Sequence, residues 1–353
     1  MTAGEDRMKL LKVTTHFLSA IVLSSLAFCV ATSCQVPATP RPPKGKIKIK
    51  EPKAPIKGDM PPNIEMGTGT TTERAIAVDP KVSLALCITE GNVKINGWKR
   101  SEVRAFVENG SKFAFRVLEK SSEAKPVLIS IVGIRELENG STECIAGGDI
   151  ELDVPENAAI ALRGRETDIS IDTVRKISAV NVGGDISVRN VAEGVSAQTG
   201  RGVITVQNSR GAMTLSSSSG NVVAYSVSPA DVGDQFKAKT NSGSISLEKL
   251  GYRLADATSI SGSVLYAGAL LSGGSLSFST TNGTIRMVIP QDSSCRITAT
   301  YGFGSFNSDL PFKGVTENIT PGPVKTVNAV IGSGESIVRL TTNSGSIAIK
   351  KLP

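Results

Sequence analysis

From Val182 to Ala224 the chain repeats itself. A Gly is followed by apolar residues two and four places later: Gly184 by Ile186 and Val188, Gly202 by Ile204 and Val206, Gly211 by Met213 and Leu215, Gly220 by Val222 and Ala224. The glycines fall about nine residues apart, and a full repeat takes 18 residues, from 184 to 202 to 220. Apolar residues at period two put one face of a short strand into a core and the other into water. A Gly before each strand allows a backbone conformation that other residues resist. Two strands and two turns make one rung of a β-solenoid, and rungs stack because none buries its apolar face alone. The expected class is therefore all-β, a parallel β-helix-like solenoid.

The unit recurs at Gly148 with Ile150 and Leu152, Gly243 with Ile245 and Leu247, Gly262 with Val264 and Tyr266, Gly274 with Leu276 and Phe278, and Gly283 with Ile285 and Met287. Thr341–Ile349 is a final copy, and Gly91–Trp98 an early one. Ser226–Gln235 reads as an insertion, and Lys313–Thr326 as a loop interrupted by Pro and Gly. Between 67 and 145 the short repeat does not recur beyond the one copy at Gly91–Trp98. Strands are expected at Val82–Ile88, Val103–Val107, Lys112–Leu118 and Val127–Ile134, with turns at Asn109-Gly110 and Asn139-Gly140. This part is expected to cap the first rung of repeats spanning 146–353.

Residues 1–33 read as an export signal, with Arg7, Lys9 and Lys12 preceding a 14-residue apolar run from Phe17 to Val30. Two continuations stay open at Ala31-Thr32-Ser33-Cys34. One is ordinary cleavage after Ser33. The other is a lipoprotein-type box that makes Cys34 a lipidation candidate and a possible membrane anchor, although such boxes usually carry Leu where Ala31 stands. Residues 34–66 form a linker rich in Pro and Lys, either a solvated spacer or a stalk touching anionic surfaces. The expected location is the cell envelope, periplasm or surface.

The net charge of +7 suggests nucleic acid until it is located: the first 60 residues carry +6 of it and the remainder only +1. No basic footprint for phosphates remains, so no nucleic-acid partner is expected. The one histidine, His16, lies in the export segment, which removes His-based triads and imidazole metal sites from the mature chain. No Cys-x-x-Cys occurs. Cys295 alternates with Ile297 and Ala299 and is expected in the core. Cys87 and Cys144 are either a disulfide, in an oxidising compartment, or two buried thiols. No catalytic residue, cofactor or metal site is expected.

Gly273–Arg286, Pro290 and the stretch Tyr301-Gly-Phe-Gly-Ser-Phe-Asn-Ser-Asp-Leu-Pro-Phe312 resemble the bacterial putative-adhesin β-strand-repeat family, a domain family of unknown function; the likeness spans about 67–353. The resemblance implies an exported β-solenoid-like domain in the bacterial envelope. The expected function is a non-enzymatic adhesin-like or scaffold module whose partner is an envelope polymer, a glycan or a protein. Two alternatives are a periplasmic stress sensor and a β-helical polysaccharide lyase or glycosidase. The enzyme would need clustered carboxylates, for which Asp149, Asp168 and Asp185 are candidates if they align on adjacent rungs, and aromatic platforms, for which only Trp98, Tyr225, Tyr252, Tyr266 and Tyr301 combine an apolar ring with a polar edge. For a binding module the outward rows Ser187, Thr205, Thr214, Ser246 and Ser277 offer polymer contacts, or simply keep a β-face soluble.

Overall fold

Each 18-residue repeat folds into a long strand and a short one. In mid-array these are Lys176–Gly183 with Ile186–Arg189, Gly194–Arg201 with Ile204–Gln207, and Ala212–Ser219 with Val222–Val227. The computed structural model describes residues 63–352 apart from 71, 109–111, 136–139, 143 and 320–322. The export segment, Cys34, the linker up to 62 and the Asn109-Gly110 turn lie outside the described residues. Long strands stack in parallel on long strands and short on short: Val195 sits between Ile177 and Met213, and Ile204 between Ile186 and Val222. The described residues contain no helix. The fold is the β-solenoid that the Gly-punctuated period two implies.

Inside, the expected apolar rows are buried: Ile186, Val188, Ile204, Val206, Val222 and Ala224 all lie in the core, as do Tyr266 and Cys295. Each full burial of a Val, Leu or Ile contributes about 1.5–3 kcal/mol. Beside these rows runs a polar one. Thr199, Ser217, Thr240, Ser259, Thr280 and Thr342 are buried, and each hydroxyl donates to the carbonyl of a glycine one rung away: Gly184, Gly202, Gly220, Gly243, Gly262 and Gly283, at 2.8–3.1 Å. The ladder satisfies carbonyls that face inward at the corner, where no strand partner reaches them.

The two corners of a rung solve different problems. At the first, Gly202 has φ +138°, and a Cβ there would overlap the carbonyl oxygen of Gly184 in the neighbouring rung. The glycine column is thus a packing requirement as well as a turn. At the second corner Thr173, Asn190, Asn208, Ser226 and Lys249 take left-handed φ of 48–57° on successive rungs. Asn suits this region because its short polar side chain bonds locally.

At both ends the order of rungs in space departs from their order in the chain. Ser83–Trp98, in the stretch read as a cap, is a full rung lying between Ala159–Asp172 on one side and Pro126–Arg135 with Ile150–Pro155 on the other. At the far end Ser336–Ser344 and Ile347–Lys351 lie between the rung Ser275–Asn282/Ile285–Ile289 and the rung Cys295–Phe303/Phe306–Ser308. Antiparallel strands then cover the exposed edges: Phe113–Lys120 and Glu102–Val107 at one end, Lys325–Ile331 and Lys313–Ile319 at the other. The stretch expected as a loop from 313 to 326 therefore supplies one edge strand, Lys313–Ile319, and the first two residues of another. Its Pro and Gly residues obscured a strand that pairs with Lys325–Ile331, which in turn lies beside Cys295–Phe303. Covered edges do not template further pairing.

Candidate functional site

The array is regular until its middle. Core partners on adjacent long strands are 18 residues apart from Ile177 to Val195 to Met213, then 23 from Met213 to Phe236, 19 from Phe236 to Ala255 and 21 from Ala255 to Leu276. The extra residues emerge at the second corner, in the connections after Val222–Val227 and after Val264–Ala267. Between these two long loops lies the short turn Gly251–Leu254. Two tall walls and a low floor make a half-open cleft of about 570 Å³. This is within the range of small-ligand and peptide sites.

The walls are built, not loose. The Asp234 carboxylate accepts the backbone N–H groups of Ala230 and Asp231 at 2.9 and 3.0 Å, closing the first loop on itself. Below it the buried Tyr252 hydroxyl bonds to the Ser228 carbonyl at 2.8 Å, and its ring packs 5.7 Å from Phe236. The Ser336 hydroxyl holds the second wall through the Leu271 carbonyl at 2.9 Å. On this frame stand apolar side chains facing water: Val232 is 105% exposed, Leu254 41% and Leu271 38%. Asp231 and Arg253 also line the cleft, and neither side chain has a hydrogen-bond or ion-pair partner among the described residues. The insertion at Ser226–Gln235 was legible as a break in the period. The long connection near Leu271 was not, because it falls between the units at Gly262 and Gly274, each of which fits the pattern.

The other candidates are distributed elsewhere. Ser187, Thr205 and Ser246 share one row on the short-strand face, with Val223 between the latter two, whereas Thr214 and Ser277 lie on the long-strand face. Asp168 and Asp185 do sit on adjacent rungs, but Asn92 separates Asp149 from Asp168. Their oxygens cap the backbone instead: Asp149 takes the Asn92 N–H, Asp168 the Asp185 N–H and Asp185 the Val203 N–H, at 2.7–3.1 Å. Among the described residues no three His, Cys, Asp or Glu side chains converge as metal ligands would.

Of the aromatic candidates, Tyr252, Tyr266 and Tyr301 are buried. Trp98 is flanked by the guanidinium groups of Arg100 and Arg104 at 4.9 and 5.6 Å. Tyr225 bonds to the Lys249 ammonium at 2.7 Å, and that bond holds its phenol below the usual range. Near Trp98, Arg104 pairs with Asp153, and Lys94 with Glu151 at 2.9 Å; the Lys94 bond holds the Glu151 carboxyl below the ordinary carboxylate range. Both acids are ion-paired. Cys87 and Cys144 are joined as a disulfide that pins the segment before Ile150 to the strand Ser83–Trp98. A 57-residue closure of this kind restricts the unfolded chain by about 4 kcal/mol in the chain-entropy model.

Residues 89–350 match the model of the Toastrack DUF4097 family. The chain belongs to the Toastrack family. The resemblance carried by Gly273–Arg286 and Tyr301–Phe312 thus falls within a domain family of unknown function. No curated protein matches this Toastrack chain. A solved structure, of a "putative cell adhesion protein" from Clostridium sporogenes ATCC 15579, aligns over 79% of this chain and 99% of its own at 12% identity, with a TM-score of 0.23. No helix among the described residues of this Toastrack chain is long and apolar enough to cross a membrane.

Proposed function

We propose that the chain is a non-enzymatic, adhesin-like binding module of the bacterial envelope. It carries its solenoid on the Lys/Pro-rich segment before it and receives its partner at the cleft between the two long loops. One observation supports this reading above the rest: the two largest departures from the 18-residue period of mid-array fall at a single corner and expose Val232, Leu254 and Leu271 around one opening. Insertions in a solenoid collect on the face that binds, and rigid walls cost little ordering entropy when a partner arrives. The carboxylates of Asp149, Asp168 and Asp185 cap backbone N–H groups and those of Glu151 and Asp153 are ion-paired, which speaks against the polysaccharide-cleaving alternative.

Two measurements test it. Trypsin shaving of intact cells should release the β-domain by cutting between Lys44 and Lys57; protection until the cells are permeabilised would put the domain in the periplasm and replace adhesion by a scaffold or sensor role. Purified protein should sediment with isolated envelopes, and Val232→Asp should reduce the bound fraction at least fivefold without moving the melting temperature. Equal sedimentation of the variant would remove the cleft from the binding surface.

A further inference from the structure

Resting on the reading of the cleft as the docking site, we infer that its partner is a polypeptide segment presenting an apolar side chain beside one basic and one acidic residue. Val232, Leu254 and Leu271 give the cleft an apolar lining, and its two unengaged charges have opposite sign and different positions. Asp231 stands on the first wall and Arg253 on the floor turn, and neither has a partner among the described residues. Asp234, the other acid in the lining, is occupied by two backbone N–H groups. The free charges are therefore one carboxylate and one guanidinium, carried on neighbouring connections of the same corner.

A simple anionic amphiphile would satisfy Arg253 and face Asp231 with like charge; a cationic one would do the reverse. Either mismatch weakens binding, whereas a partner with both signs meets both groups and leaves no charge buried alone. An extended peptide supplies this pattern cheaply, because residues two apart share a face and lie within ~7 Å. Its apolar side chain would pack against Leu254 and Leu271, with Val232 closing over it.

The test uses the intact chain, isotope-labelled for NMR titration, and four capped pentapeptides with a central Leu and every combination of Lys and Glu at the first and last positions. Both mixed-sign peptides should bind at least tenfold more tightly than the two like-signed ones, shifting the amides of Asp231–Asp234 and Arg253–Leu254. Arg253→Glu should make the doubly basic peptide the best ligand, and Asp231→Lys the doubly acidic one. Both sites are exposed loop positions, so the melting temperature should not change. Equal affinities for all four peptides, or a preference that ignores the two reversals, would overturn the inference. Binding of dodecylphosphocholine with the same response, and of no peptide, would overturn it in favour of a zwitterionic lipid. Should Val232→Asp abolish envelope binding while the peptides show no charge preference, this inference fails and the docking cleft stands; should Val232→Asp leave envelope binding intact, the cleft itself fails.

Discussion

Thr240 shows how one hydroxyl can matter in a core of aliphatic rows. Its Oγ1 donates to the Gly220 carbonyl at 2.9 Å and is shielded from water. Thr240→Val keeps the shape and strands that carbonyl, so unfolding free energy should fall by about 1–3 kcal/mol. Thr240→Ser keeps the bond and should cost less than half as much; equal losses in urea denaturation would mean that the ladder contributes only packing. Tyr266 makes a second case. Burial pushes its hydroxyl up to about 12, and pushes the Cys295 thiol up to about 11. In the unfolded chain the phenol ionises near 10. The native state holds the proton more tightly, so this contribution is intact below pH 10 and is lost as pH rises toward 12. Melting temperature should drop through that window. In Tyr266→Phe, which loses the bond to the Ala269 carbonyl at 2.7 Å, the whole curve should sit lower but slope less steeply.

Single strands gain their meaning from neighbours far away in sequence. Ile347–Lys351 joins a rung 62 residues earlier, through Ile285↔Ile347, and holds Phe306–Ser308 on its other side. It behaves as a clasp between the body of the array and its last rung. Ile349 lies within it, fully buried. Ile349→Asp puts an unpaired carboxylate in the core, a severe penalty, and should release the terminal rung with its antiparallel cover. Limited trypsin should then cut at Lys313 and Lys325 under conditions that leave the wild type whole. Uniform resistance in the variant would show that the last rung docks without the clasp. Here lies the main shortfall of sequence reading: the repeat announces that strands exist at 275–289, 295–308 and 336–351, but nothing in it says that the third lies between the first two. That order comes from long-range pairing, which local periodicity does not encode.

For the whole molecule, stability in a stack resides in each rung and its contacts with two neighbours. Removing Val203–Gly220 deletes one complete rung and joins Gly202 to Asn221, with the next long strand in register. The shortened chain should fold and unfold cooperatively, with a modestly lower melting temperature. Removing only Val203–Gly211 takes out one side and carries long-strand residues into short-strand positions; it should give no cooperative melt. Circular dichroism on both deletions decides the matter, and equal behaviour would contradict the two-strand rung. The charge pattern acts at this scale too: the described array is close to neutral, and the surplus of basic residues precedes it.

Alternation at period two and a glycine every nine residues determined, unaided, that this chain is a β-solenoid, which residues face inward, and that Ser226–Gln235 breaks the period. Those are local consequences of side-chain direction and of turn geometry, so each is present in a short window. The Ser or Thr three places before the corner glycines from Gly202 to Gly283 and before Gly345 was also there to be read, and its role became clear only when the neighbouring glycine carbonyl was in place. The tertiary structure alone decided the order of rungs at the two ends, the antiparallel covers, and the meeting of two long loops over one short turn that makes the cleft. Each of these depends on which distant strands become neighbours. That choice is made by burying rows of side chains and pairing edges together, and no single repeat carries it.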